Sequence, residues 1–167
     1  MTDGPVVLVA GAAGKSGSLS AAAARRAGAS KVIGIVPTET EAELLRHPIA
    51  AEGSALADEI VIADARDPVG LAAKVEAAGG PADVTVVCVD VPGCEGGAIL
   101  STKQGGTVIF FSMATSFSAA ALGAEGLAAD VTMLVGNGYV PGHAAFALDL
   151  IRGVPSVRRL FERRVAS

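Results

Sequence analysis

The chain predicts an α/β architecture: one domain holding a doubly wound parallel sheet of six strands, with helices on both faces. Three observations carry that prediction. Short runs rich in valine and isoleucine alternate along the whole chain with alanine-rich or amphipathic segments of helical length. Apolar residues make up 51% of the 167 positions and aromatics only 4%, a composition suited to buried parallel strands and closely packed helices. A glycine-rich turn, Gly11-Ala12-Ala13-Gly14-Lys15-Ser16-Gly17, stands between the first apolar run and the first helical segment.

The elements follow in order. Residues 6–10 form the first strand and 18–27 the first helix, closed by Gly28 as a C-cap. Residues 31–36 form the second strand, which Pro37 stops. Thr38 caps a helix over 39–46, and Glu41 three residues on completes a capping box. Residues 54–58 read as a further helical turn and 59–62 as a short third strand. Asp67 caps and Pro68 opens a helix that runs to residue 78, where Gly79-Gly80-Pro81 breaks it. Residues 84–89 are apolar throughout, the mark of a central strand. A helix over 93–103 ends at Gly105-Gly106, and residues 107–111 form the fifth strand. A polar loop over 112–118 leads to a helix over 119–129, then to a sixth strand over 130–135 closed by Gly136-Asn137-Gly138. Amphipathic helix over 142–152 and basic helix over 156–164 complete the chain. Right-handed crossovers between six strands give the order 3-2-1-4-5-6, two mononucleotide-type halves of one Rossmann domain over residues 1–167.

The turn has its own chemistry. Strand, glycine turn and helix together bring backbone close to a phosphate, because a Cβ at the wrong position would block the approach. The helix start then offers free N–H groups and the positive end of its dipole. The spacing is G-x-x-G-x-x-G, with Ala13 where the second glycine of G-x-G-x-x-G would fall. Gly14-Lys15-Ser16 imitates the end of a Walker A loop, but Val9 stands where that loop needs its first glycine. Three readings stay open from the turn alone: a dinucleotide site, a mononucleotide site and a purely structural turn. The strand-end loops favour the first, because ligands of open α/β sheets sit at the carboxyl ends of the strands. Expected cofactor-binding positions are Gly11, Ala13, Gly14, Lys15, Ser16, Gly17, Pro37, Thr38, Asp64, Ala65, Asp90, Val91, Pro92, Ser112, Met113, Ala114, Gly136, Asn137 and Gly138. Ser112, Thr115 and Ser116 follow the fifth strand, where hydroxyls either orient a nicotinamide or satisfy their own loop. Asn137 either contacts the carboxamide or tolerates a left-handed turn.

Other chemistries are excluded or demoted. A net charge of −4 argues against general nucleic-acid binding. No apolar run reaches membrane-spanning length and no signal peptide opens the chain, so the expectation is a cytoplasmic protein without membrane contact. Cys88, mid-strand, and Cys94 form no C-x-x-C pair, and His47 and His143 have no carboxylate near them in sequence; no metal site is expected. Tyr139 is the single tyrosine and heads no Tyr-x-x-x-Lys pair. Asp90, at the end of an apolar strand, imitates a Walker B aspartate, but the first loop is too short for a triphosphate. Arg158, Arg159, Arg163 and Arg164 make a basic helix face, read as solvated.

Four stretches carry a resemblance. Residues 9–17 (VAGAAGKSG), 110–117 (FFSMATSF), 121–126 (ALGAEG) and 136–139 (GNGY) resemble the L-erythro-3,5-diaminohexanoate dehydrogenases of lysine fermentation, a divergent branch of the zinc-type, medium-chain alcohol dehydrogenase superfamily. The resemblance covers nearly the whole chain and only the cofactor half of such enzymes. It implies NAD or NADP as cofactor and oxidation at an amine-bearing carbon of a diamino acid. It also implies that a GroES-like catalytic domain, which carries the superfamily's metal ligands and most substrate contacts, lies outside this chain. Catalytic residues are therefore unassigned. A natural split subunit, a degenerate single domain and a fragment stay open. A non-catalytic nucleotide-binding or sensor module is the alternative from another class. Glu39, Glu41 and Glu43 after the second strand would repel a 2′-phosphate, a slight lean to NAD. The sixth strand is apolar and free of proline at a sheet edge, and the superfamily joins Rossmann domains there, so a homodimer through that strand is expected.

Overall fold

The computed structural model describes residues 3–46, 55–136 and 139–166. Six parallel strands pair in the order β3-β2-β1-β4-β5-β6, as the crossover rule predicts. The strands are β1 (Val6–Ala10), β2 (Lys31–Val36), β3 (Glu59–Ile62), β4 (Ala82–Val87), β5 (Thr102–Phe110) and β6 (Thr132–Val135). The helices are α1 (Lys15–Arg26), α2 (Glu39–Arg46), α3 (Pro68–Ala77), α4 (Glu95–Leu100), α5 (Phe117–Gly126), α6 (His143–Gly153) and α7 (Pro155–Val165).

Successive strand residues feed opposite faces. Val7, Val9, Val32 and Val36 join the α1, α2, α6 and α7 side, with Leu45, Leu150, Val157 and Leu160. Leu8, Ile33 and Ile35 join the α3 side with Leu71 and Val75. Val108 and Phe110 pack with Ala98 and Ala120 of α4 and α5. Burial on both faces explains why the central strands read as unbroken apolar runs. Gly34 of β2 is required by closeness: a Cβ there would meet the Cβ of Ala12 at 3.0 Å.

Strand β2, helix α2 and strand β3 keep their predicted bounds, and the local caps hold. Thr38 Oγ1 accepts from Glu41 N (3.3 Å), and Asp67 Oδ1 accepts from Gly70 N (3.0 Å) with Pro68 at the first position. Gly28, at φ 91°, lies just past the α1 C-cap, which is Ala27.

Several expectations need correction. Helix α1 begins at Lys15, not residue 18, because Gly14 serves as N-cap and Ser18 N already bonds Gly14 O (2.9 Å). Residues 55–58 are not helical; Asp58 instead takes Val32 N on Oδ2 (2.7 Å) and returns its own N–H to Val32 O (2.8 Å). Ser54 lies outside the described residues. Strand β4 ends at Val87, so Cys88 is past the strand and Asp90 three residues beyond it, which removes the Walker B placement. Helix α4 stops at Leu100, and β5 starts at Thr102, so Gly105-Gly106 lies within a strand instead of ending a helix. The cause is a register shift: Ala82 pairs Thr102, but Val84 pairs Thr107. Buried Thr102 anchors that early start, sharing a 2.7 Å bond with Thr85 Oγ1 and donating to Ala98 O (2.7 Å). Helix α5 starts at Phe117, capped by Ser116 Oγ accepting from Ala119 N (3.3 Å). Strand β6 is shorter than expected, α6 shifts by a residue, and α7 is a residue longer at each end.

Candidate functional site

The glycine turn is built from contacts that fix its backbone and leave one side open. Gly11 N and Ala12 N both donate to Ile35 O (2.9 and 3.1 Å), tying the turn to the end of β2. Gly11 has φ 80°, and a Cβ there would press on Val89 Cγ1 at 3.0 Å. A Cβ on Gly17 would fall 1.9 Å from Gly11 O, so this buried glycine lets α1 sit directly on the turn. Gly14 differs. Its backbone (φ −73°, ψ 173°) suits any residue, it is half-buried, and an added Cβ would meet only Gly11 O at 3.1 Å. Ala12 and Ala13 turn their methyl groups into the core, and Arg164 Nη2 donates to Ala13 O (2.9 Å). Ser16 is half-buried and Lys15 exposed. No side chain caps α1 and no acidic residue stands in its first turn, so the N–H groups of Lys15, Ser16 and Gly17 occupy an uncapped, electropositive helix end.

Two cavities open at the carboxyl ends of the strands, the edge of the sheet on which this turn lies. One of about 320 Å³ is lined by Ile35, Val36, Pro37, Ala63, Asp64, Ala65, Arg66, Val89 and Val91. Its single charged pair is Asp64 with Arg66, a bidentate bond in which Arg66 Nε and Nη2 each donate at 2.9 Å. The Arg66 guanidinium, helped by the Arg66 backbone N–H, holds the Asp64 carboxyl down to about 2. At the ends of β5 and β6, a cavity of about 220 Å³ is lined by Phe110, Ser112, Met113, Thr115, Phe117, Val135 and Gly136. Ser112 Oγ accepts from Ala114 N (3.1 Å), so that hydroxyl does satisfy its own loop and keeps its O–H free to donate. Larger cavities of about 510 Å³ lie elsewhere, one along the C-terminal half of α1 and one on α6 and α7.

The predicted positions thus sort themselves. Pro37, Asp64, Ala65 and Val91 line the first cavity; Ser112, Met113 and Gly136 line the second; Gly11, Ala13, Gly14, Lys15, Ser16 and Gly17 form the turn after β1 and line neither. Thr38 serves as the α2 cap, and Asp90 and Pro92 stand exposed after β4. Ala114 is held by Ser112 without lining either cavity. Asn137 and Gly138 lie outside the described residues, as does His47. Sequence reading missed the last residues of the strands, Ile35, Val36 and Phe110, which form walls by their position under the loops. It also missed Arg66, signalled only by its place two residues after Asp64, and the buried Glu95, whose carboxylate accepts Ser116 N (2.7 Å).

The remaining candidate groups are accounted for. Glu39 and Glu43 both pair with Arg46 on α2, one cation between two carboxylates. Burial raises the Cys88 thiol, and burial together with Glu95 and Asp64 pushes Cys94 up to about 11; Cys94 Sγ donates to Val91 O (3.0 Å). His143 is exposed, with Nδ1 2.7 Å from Val140 O and its ring edge-on to Tyr139. Among the described residues no three His, Cys, Asp or Glu side chains converge on one point, and no helix is long and apolar enough to cross a membrane.

Known proteins resemble this arrangement. No protein-family model matches the chain. L-erythro-3,5-diaminohexanoate dehydrogenase of Acetoanaerobium sticklandii is 44% identical over 165 residues, covering 96% of this chain and 46% of the relative. The Fusobacterium nucleatum subsp. nucleatum enzyme of the same name is 45% identical over 161 residues, covering 93% and 44%. The chain therefore spans about half the length of the curated relatives it matches. A Sinorhizobium meliloti 1021 protein assigned as a zinc-binding dehydrogenase, solved with NADP bound, superimposes with a TM-score of 0.64 at 22% identity, over 90% of this chain and 42% of its own. The chain is thus similar over nearly its whole length to about half of L-erythro-3,5-diaminohexanoate dehydrogenase, in the Rossmann fold found in zinc-type dehydrogenases.

Proposed function

We propose that this chain is the NAD(P)-binding part of an oxidoreductase that oxidises an amine-bearing carbon of a diamino acid. The observation that carries the reading is the turn Gly11–Gly17 at the end of β1, on the same edge of the sheet as two strand-end cavities, one at the ends of β2 to β4 and one at β5 and β6. The ends of β2 and β5 are three strand spacings apart, about 14 Å, a span that an extended dinucleotide bridges and a mononucleotide does not. The residues fit such a group. The pyrophosphate would meet Gly14 and the open end of α1, the adenosine would enter between Pro37, Arg66 and Val91, and the nicotinamide would lie by Ser112 and Thr115. Bound there, the nicotinamide supplies the hydride acceptor. The name of the curated relatives supports a diamino acid as substrate, and the NADP-bound neighbour supports a dinucleotide over a mononucleotide.

Cofactor preference rests on weak charge. No acidic side chain ends β2, where Pro37 and Thr38 stand, and Arg46 offsets one of the two charges of Glu39 and Glu43. Glu41, with the charge that Arg46 leaves on Glu39 and Glu43, keeps a slight lean to NAD. Substrate contacts belong to a GroES-like polypeptide, which is what the relatives' greater length leaves room for. The partner at β6 is a second copy of this chain: Leu134 and Val135 are exposed, and the edge carries no proline. The test is calorimetric titration of the chain with NADH, NADPH and ATP. Either dinucleotide should bind, at upper micromolar affinity; ATP binding far better than both would refute the reading.

A further inference from the structure

Glu95 is an anomaly in the site. It is a carboxylate at 5% exposure on a short helix, with no ion-pair partner among the described salt bridges. Its one described bond crosses between two strand-end loops: Oε1 accepts the backbone N–H of Ser116 at 2.7 Å. Ser116 is the cap of α5 and the last residue of the loop that walls the 220 Å³ cavity. Helix α4, which presents Glu95, is itself fixed on the opposite side. A Cβ on Gly97 would stand 2.9 Å from Leu71 Cδ2 and 3.0 Å from Ala65 O, and Ala65 lines the 320 Å³ cavity. Thr102 closes the far end of α4 by donating to Ala98 O (2.7 Å), and Cys94 closes the near end on Val91 O (3.0 Å). A rigid short helix therefore touches the floor of one cavity and, through one carboxylate, the wall of the other.

From this geometry we infer that Glu95 is a positioning residue, which sets the Ser112–Ser116 loop for the nicotinamide end of the cofactor without touching the adenosine end. The inference rests on the proposed dinucleotide reading. Its logic is the cost of an unmade bond: with Glu95 shortened, the Ser116 N–H loses its acceptor and the loop gains conformations it must give up on binding. Only a ligand that reaches past β5 feels that loss.

The experiment uses the whole chain as Glu95→Ala, Glu95→Asp and Glu95→Gln, with NADH and ADP-ribose as probes. Calorimetry gives both affinities, and hydrogen exchange on the ligand-free proteins reads the Ser116 amide. Glu95→Ala should weaken NADH about tenfold, the order of one buried N–H left without its acceptor, and leave ADP-ribose unchanged. Glu95→Asp, a methylene too short, should do the same and covers the case in which the alanine variant fails to fold. Glu95→Gln keeps an acceptor oxygen and should restore both NADH affinity and slow exchange at Ser116. Equal weakening of both probes, glutamine no better than alanine, or wild-type NADH affinity in all three variants would each overturn the positioning role. A wild-type chain that binds neither probe would instead overturn the dinucleotide reading and this role with it.

Discussion

Gly14 and Gly17 are three residues apart in one turn, and the structure assigns them opposite consequences. Gly14→Val places its Cβ 3.1 Å from Gly11 O, a contact that a few tenths of an ångström relieves, on a backbone that valine readily adopts. The fold loses only the difference between glycine and a poor N-cap residue, about 1 kcal/mol, which is a fall of about 2–4 °C in Tm for a chain of this size. The branched side chain then stands at the open helix end, where the proposed reading brings a pyrophosphate within hydrogen-bond distance of the N–H groups. Loss of even two such bonds, at about 1.5 kcal/mol each to a charged group, weakens binding about a hundredfold. Gly17→Ala is the converse. Its Cβ would sit 1.9 Å from Gly11 O, 2.6 Å from Gly11 C and 2.9 Å from Ala12 Cα, all backbone, so α1 must lift off the turn. Overpacking against backbone costs about 1–3 kcal/mol or more. Thermal melting by circular dichroism with NADH calorimetry separates the two. Gly14→Val should melt near wild type and bind at least tenfold more weakly, whereas Gly17→Ala should show the larger fall in Tm. Unchanged NADH affinity in Gly14→Val, or a melting order reversed between the two, would refute the argument.

Three further outcomes follow from the same geometry. Asp64 should titrate at about 2 by carboxyl-carbon NMR, because Arg66 depresses it from 3.8; its contribution to stability is present above pH 3.8 and lost as pH falls towards 2, and Arg66→Ala should return the titration to the ordinary range. Cys94 should resist iodoacetamide at pH 8 until the protein unfolds, since its thiol sits at about 11; because a raised thiol favours the folded state only while protonated, that contribution is lost as pH climbs above 9, and prompt labelling of the native chain would contradict this. Thr132→Pro removes a backbone N–H at the start of β6 and should move the chain from dimer to monomer in light scattering, whereas a wild-type chain monomeric at high concentration would dispose of the dimer through this edge.

What the sequence made legible was whatever local chemistry decides. Asp67-Pro68 states a helix start in adjacent residues, and the bond from Gly70 N to Asp67 is within four positions. Lys31 to Val36, stopped by Pro37, needs no distant partner to be read as a strand. The failures have distant partners. Gly105-Gly106 is a helix stop by composition, yet Lys103 pairs Asp83, Gln104 accepts Asp130 N and Gly105 N reaches Asp130 O, so the segment is drawn into a bulged strand by residues 20 to 26 positions away. Glu95 falls within the helix expected over 93–103, but its acceptor role depends on an N–H 21 residues later. For the site, the loops were legible because topology alone places them at the strand ends. The apolar walls were not, because Ile35 and Phe110 look like any other core residue until the sheet order sets them beside an opening.

Ala13 is where sequence and structure differ most usefully. By motif it weakens the fingerprint, since a side chain replaces the second glycine and would crowd a pyrophosphate. In the fold its methyl group is 1% exposed and belongs to the same apolar cluster as Leu150, Val157 and Leu160 of the last two helices. Its carbonyl is taken by Arg164 at 2.9 Å, from a residue 151 positions away. The turn therefore holds one residue of the fingerprint inward, and under the proposed reading the close-approach position is Gly14, whose added Cβ would meet nothing but Gly11 O. The G-x-x-G-x-x-G spacing keeps three properties that the proposed site needs: a left-handed first glycine, a bare position at Gly14 and a third glycine in the first turn of α1. It makes the geometry of the turn depend on α7, because the group that pins Ala13 is the side chain of a helix at the far end of the chain.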